Sequence, residues 1–113
     1  PPTIHGDGEQ SRDFVYVEDV VQANLLACVA PHEAAGEAYN VASGKRSSLN
    51  EMYTVLSKLL GKDLKPIFRS ERKGDIRHSG ADISKIRKNL GYAPEYDFKK
   101  GIKEAIQWYK ENL

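Results

Sequence analysis

The stretch from Glu9 to Ala23, EQSRDFVYVEDVVQA, changes its period halfway along, and few folds accommodate that change. Arg12 to Val17 alternates β-branched and aromatic residues. This predicts a short strand with Phe14 and Tyr16 on one face, shared by Arg12, and Val15 and Val17 on the other. From Glu18 the repeat becomes helical: Val17, Val21, Leu25 and Cys28 fall on one stripe that ends before Pro31. Glu18 and Asp19 stand in the first turn, where carboxylates offset the exposed N–H groups and the helix dipole. A strand running straight into an amphipathic helix is the signature of an α/β layer.

Ahead of that stretch, Pro1 to Gln10 reads as a loop with a tight turn at Gly6-Asp7-Gly8. Beyond it, Glu37 to Ser43 reads as a second strand. Ser48 with Glu51 forms a capping box for a helix whose apolar face is Leu49, Met52, Val55, Leu56, Leu59 and Leu60, stopped by Gly61. Asp63 to Phe68 reads as a third strand, placed at an edge by Pro66. Asp82 caps a short helix with Ile83, Ile86 and Leu90 inward and Gly91 as its stop. Tyr92 to Tyr96 is extended, and Asp97 caps a last helix with Ile102, Ala105, Ile106 and Tyr109 on its buried stripe and Trp108 beside it. The expectation is a mixed α/β unit of about four helices and short strands, one domain at most over residues 1–113.

Charge excludes some functions. Lys plus Arg is 17 against 16 for Asp plus Glu, so a net charge of +1 supplies no broad field for nucleic acid. His5, His32 and His78 are scattered without metal-ligand spacing. Cys28 has no intrachain partner and falls on the helical stripe, which predicts an inert core thiol. No apolar run is long enough to span a membrane and no signal peptide opens the chain, so a cytoplasmic setting is expected. The chain starts Pro1-Pro2-Thr3 and its one methionine is Met52, which reads as an excised segment. Neither a dinucleotide GxGxxG, a P-loop nor a GxSxG elbow is present.

Two arginines remain as candidates for chemistry. Arg12 precedes the first strand, and Arg72 stands three residues before Asp75 across Gly74, in a loop from Arg69 to Gly80 that lacks periodicity. A guanidinium stays charged at any working pH and matches phosphate oxygens with two parallel bonds. A turn at Gly74 lets Arg72 and Asp75 point the same way, so that one takes a phosphate and the other accepts from ribose hydroxyls. Spacing alone favours solvated surface ion pairs, which arginine–acid neighbours usually are.

Three segments, GDGEQSRDFVYVEDVVQANLLA, AYNVASGKRSSLNEM and RKGDIRHSGADISKIRKNLGY, together resemble the C-terminal part of the extended short-chain dehydrogenase/reductases, within them the UDP-glucose and UDP-N-acetylglucosamine 4-epimerases. The resemblance covers nearly the whole chain in order. It implies that Arg12 and Arg72 contact the diphosphate of a UDP-sugar and Asp75 the ribose, and that Asn40 and Ser43 line the junction of two lobes. His78 and Asp82 also fit the family's pattern, as a loop support and a helix cap.

The resemblance further implies a homodimeric, NAD-dependent parent whose N-terminal Rossmann lobe holds the GxxGxxG turn and the YxxxK pair. The GxxGxxG turn is absent from this chain, and at Tyr53 the pair fails because Ser57 stands where a lysine is needed. It would complete the Rossmann-type fold and anchor substrate without supplying a catalytic residue. A nucleotide-sugar dehydratase or reductase shares both arginine motifs. A non-catalytic nucleotide-sugar or protein-binding module, or a plain folding unit, are readings of a different class.

Overall fold

In the computed structural model, which describes residues 1–113, four helices and four very short strands follow one another as β1 (Thr3–His5), β2 (Ser11–Arg12), α1 (Val17–Cys28), a 3-10 turn (His32–Ala34), β3 (Ser47–Ser48), α2 (Leu49–Leu60), β4 (Ile67–Arg69), α3 (Ser84–Leu90) and α4 (Phe98–Asn112). The strands form two separate pairs. β1 runs parallel to β4 with Ile4 opposite Phe68, and β2 runs antiparallel to β3 with Ser11 opposite Ser48. The mixed α/β class and the four helices are as the sequence predicts.

Several helix ends obey their local chemistry. Ser48 and Glu51 close a complete capping box on α2, and Gly61 ends that helix in the left-handed region at φ 61°. The Asp97 carboxylate accepts the Lys100 N–H at 2.7 Å to start α4. Asp82, expected as the cap of α3, falls one residue short: the N-cap is Ile83, without a side-chain cap bond, and the Asp82 carboxylate accepts the Ser84 N–H at 2.8 Å in a local turn ahead of the helix. Ile83, Ile86 and Leu90 are buried as their spacing requires, and they pack with Ala23, Ala34, Ala42 and Tyr92 in the one apolar core. The Tyr92 hydroxyl reaches the Ala42 carbonyl at 2.8 Å, which satisfies its polar tip inside that core.

Other expectations fail for a common reason: alternation of residue type does not create a strand without a partner edge. Of the run Arg12 to Val17 only Arg12 pairs, opposite Ser47, and Asp13 to Tyr16 is irregular chain leading into α1. Glu37 to Ser43 forms no strand either. Conversely, Pro1 to Gln10 contains β1, which finds β4 as a partner. β4 occupies only the end of the segment read as Asp63 to Phe68 and runs on to Arg69.

The α1 stripe is inverted. Val17, Val21 and Leu25 are 62%, 51% and 64% exposed, and Cys28 is exposed rather than a core thiol. The buried side is instead Asp19, Ala23 and Leu26, turned toward α3 and the 34–42 segment. In α4, Ile102, Ala105 and Ile106 are half-buried while Tyr109 and Trp108 are exposed.

These inversions share a shape. The chain is a slab of 51 × 36 × 19 Å with a radius of gyration of 16.7 Å, against about 13 Å for a compact chain of this length. Only 12 of 113 residues are buried, and the apolar face of α2 contributes none of them. That face lines an open groove of about 390 Å³ with Ile4, Tyr53 and Leu64.

Candidate functional site

Arg12 sits at the end of β2, where the pairing with Ser47 fixes its backbone. Its Nη1 donates to the carbonyls of Ser11 at 2.7 Å and Arg77 at 3.5 Å, and its Nη2 donates to Asp75 Oδ1 at 2.8 Å. A guanidinium has five N–H donors, so these three bonds leave two, on Nε and Nη2, for an anion. The side chains of Arg12 and Asp75 are each about a third exposed (29% and 35%), so the pair faces water and is open to a ligand.

Asp75 joins the two arginine motifs. The Asp75 N–H donates to the Arg72 carbonyl at 3.1 Å, which closes the turn at Gly74, and Arg72 and Asp75 then line one cavity of about 130 Å³ with His5, Gln10, Glu71 and Arg77. With Oδ1 held by Arg12, the second oxygen of Asp75 is the one left to accept from a ligand.

A residue that the sequence reading passed over completes this cavity. Gln10 is 7% exposed; its amide N–H₂ donates to the His5 carbonyl at 2.7 Å, and its Oε1 is buried with no partner. A buried acceptor left unpaired costs about 1–3 kcal/mol. Nothing in the polar run Glu9-Gln10-Ser11 distinguishes Gln10; only the fold over it does.

The walls of the cavity are held by backbone pairing between distant segments. The Ser11 N–H donates to the Arg77 carbonyl at 2.9 Å and the Ser79 N–H to the Ser11 carbonyl at 3.0 Å, while the Ser11 hydroxyl and His78 Nδ1 lie 2.7 Å apart. His78 thus supports the loop. Gly6 N–H donates to the Arg69 carbonyl at 3.0 Å, at the other end of the same loop.

Asn40 and Ser43 lie apart from this cavity. Ser43 donates both its N–H (2.8 Å) and its hydroxyl (2.7 Å) to Asp13 Oδ1, and Gly44 N–H donates to Asp13 Oδ2 at 2.8 Å. Asp13, next to Arg12, therefore spends its carboxylate on the 43–44 turn. Asn40 is exposed, with its amide 3.4 Å from the Asp82 carbonyl. Asp19, read as a dipole partner, is buried and accepts the N–H groups of Glu95 (2.8 Å) and Tyr96 (3.2 Å). No group of three or more potential metal-ligating side chains occurs, and no helix is long and apolar enough to cross a membrane.

Comparison with known proteins assigns the class to which this architecture belongs. Residues 1–105 match the family model described as GDP-mannose 4,6 dehydratase, and the chain belongs to that family, in the extended short-chain dehydrogenase/reductase group.

It is 40% identical over 111 residues to a putative UDP-glucose 4-epimerase of Methanocaldococcus jannaschii, covering 98% of this chain and 35% of that protein. It is 36% identical to the UDP-glucuronate 4-epimerase of Thermodesulfobacterium geofontis, covering 100% of this chain and 34% of the relative. Among solved structures it superposes on the UDP-glucose 4-epimerase of Thermotoga maritima, determined with UDP-glucose, with a TM-score of 0.92 at 36% identity, over 99% of this chain and 35% of the other. The UDP-glucuronic acid 4-epimerase of Bacillus cereus, in complex with UDP-glucuronic acid and NAD, gives 0.91 at 29% identity, over 99% and 36%. The chain thus spans about a third of the length of these relatives.

Proposed function

We propose that this chain is the substrate-binding part of an NAD-dependent UDP-sugar 4-epimerase and that the cavity between residues 5–10 and 71–77 takes the diphosphate end of the nucleotide. The observation that carries the reading is the junction at Asp75. Arg12 is fixed on it at 2.8 Å with two donors still free, and Arg72 lines the cavity beside it. Two guanidinium groups offset the charge of a diphosphate, and the free Asp75 oxygen accepts from a ribose hydroxyl. Asn40 and Ser43, apart from the cavity, belong in this reading to the wall facing the remainder of the protein.

The residues present do not fit the dinucleotide itself. Pyrophosphate needs an open helix N-terminus after a glycine-rich turn. Here no GxGxxG turn leads into any helix, and Glu18 and Asp19 occupy the first turn of α1, Glu51 closes α2 and Asp97 closes α4. In this reading NAD, which supplies reversible removal of the C4 hydride, is held mainly by residues outside this chain. This chain's part is to keep the diphosphate anchored while the sugar turns between the two hydride positions.

Titration of UDP into the intact protein tests the site. Arg72→Ala is expected to weaken binding by about 1.5–3 kcal/mol, roughly 10- to 150-fold, the range for a charged hydrogen bond. Unchanged affinity removes Arg72 from the site. A dehydratase is the second reading, favoured by the family model and by 36% identity to a dTDP-glucose 4,6-dehydratase of an Actinoplanes species. Mass spectrometry of the product decides between them, because an epimerase conserves the mass of the nucleotide-sugar and a dehydratase removes one water.

A further inference from the structure

Arg72 and Asp75 lie in a segment, residues 71–76, that is exposed throughout. The only contacts that fix them are the turn at Gly74, the Arg12 pair and whatever pins the ends of the loop. At its far end stands Arg77, whose guanidinium makes two parallel bonds to Asp7: Nη1 to Oδ1 at 2.8 Å and Nη2 to Oδ2 at 2.9 Å. An exposed ion pair is usually worth little, but a bidentate fork on an otherwise fixed carboxylate is the exception.

Asp7 is such a carboxylate. Its Oδ1 also accepts the Glu9 N–H at 2.9 Å, and its carbonyl accepts from the Asn50 side chain at 3.0 Å, in the first turn of α2. The Gly8 carbonyl accepts the Asn50 N–H at 3.0 Å. A rigid helix end therefore holds Asp7, Asp7 holds Arg77, and the Arg77 carbonyl receives the N–H of Ser11 and the Nη1 of Arg12.

We propose that Asp7 and Arg77 are a positioning pair, a clasp that transmits the rigidity of the α2 N-terminus to the Arg12–Asp75 junction and so presets the anion site. The proposal rests on the nucleotide-binding reading for its ligand and on the clasp geometry for its mechanism. Arg77 lines the same cavity, so the rival is that it touches the ligand itself. The two roles predict opposite effects at Asp7. Asp7→Asn removes the partner that occupies the Arg77 guanidinium. If Arg77 bound the anion directly, freeing it would leave UDP affinity unchanged or raise it. If it acts as a clasp, loosening it lowers affinity.

The experiment is calorimetric titration of UDP into the intact protein and its Asp7→Asn, Arg77→Met and doubly substituted forms, with amide exchange read at Ser11 and Ser79. The clasp predicts about a tenfold loss in each single variant and no more than about twofold further loss in the double. It predicts faster exchange at both amides in each variant, and a higher KM for the UDP-sugar with kcat held. In an Arg12→Ala background, Asp7→Asn should add less than about twofold, because the side chain it positions is gone. UDP affinity unchanged or improved in Asp7→Asn overturns the clasp, as does additivity with Arg12→Ala. If the unsubstituted protein fails to bind UDP, the nucleotide reading fails, while exchange still decides the clasp: unaltered protection of Ser11 and Ser79 in Arg77→Met overturns it.

Discussion

Asp19 offers the sharpest test of the packing, because two accounts of it differ in magnitude. As a first-turn carboxylate serving the α1 dipole, it would contribute about 0.3–1 kcal/mol. In the structure it is 1% exposed and accepts two backbone N–H groups, Glu95 at 2.8 Å and Tyr96 at 3.2 Å, which ties the 92–97 connection to α1. Asp19→Ala leaves two part-buried N–H groups without their acceptor, so the expected loss is about 1–3 kcal/mol. Asp19→Asn keeps one acceptor oxygen and turns an N–H₂ toward a backbone N–H, so it should cost about half as much. Denaturant midpoints of the intact protein give the magnitude, and amide exchange at Glu95 and Tyr96 gives the place. A loss below about 1 kcal/mol for Asp19→Ala, with exchange at those amides unchanged, would refute the anchoring role and restore the dipole account.

Gly8→Ala should be nearly as damaging. Gly8 has φ +79°, and a Cβ there would lie 2.1 Å from Asn50 Oδ1, so about 1–2 kcal/mol of left-handed strain adds to the loss of the Asn50 contacts. In an Asn50→Ala background only the strain should remain, as urea unfolding can measure. For pH, the Glu18 carboxylate accepts from the Tyr96 hydroxyl, and together with burial this pushes the phenol up to about 12 from 10.0. A raised phenol pKa favours the folded state below pH 10 and loses that contribution as pH rises through about 12. Glu18→Gln should bring the ultraviolet phenolate transition back toward 10. At the acid end, the Arg77 fork holds the Asp7 carboxyl down to about 2, so the pairing is complete above the ordinary 3.8 and is lost as pH falls through about 2. Arg77→Met should return the Asp7 midpoint to the ordinary carboxylate range in an NMR titration.

What the sequence made legible was chemistry that acts within a few residues. The capping box at Ser48 and Glu51, the cap at Asp97 and the Ile83, Ile86 and Leu90 spacing all appear as read, because a helix end or a short helical face is decided locally. Strands were misread wherever pairing decides them: Phe14 to Val17 has the right residues and no partner edge, while Thr3–His5 has a partner and an unremarkable sequence. The exposed stripe of α1 shows a different limit. Periodicity at Val17, Val21 and Leu25 marks an apolar face, but burial depends on what packs there, and the structure leaves that face exposed. At the candidate site, Arg12 and Asp75 were visible as residue types in suitable motifs. Their contact across 63 positions, and the orphaned acceptor on Gln10, exist only once the two loops meet.

The slab is 19 Å thick, barely two packed layers, so almost every residue lies close to one face or the other. Unfolding free energy grows with the area taken out of water, and a layer this thin takes little out by itself. Its cooperativity is then borrowed. Where such a layer lies against a larger body, denaturation of the two is one event, and a substitution deep in the partner loosens the arginine loops as surely as one made beside them.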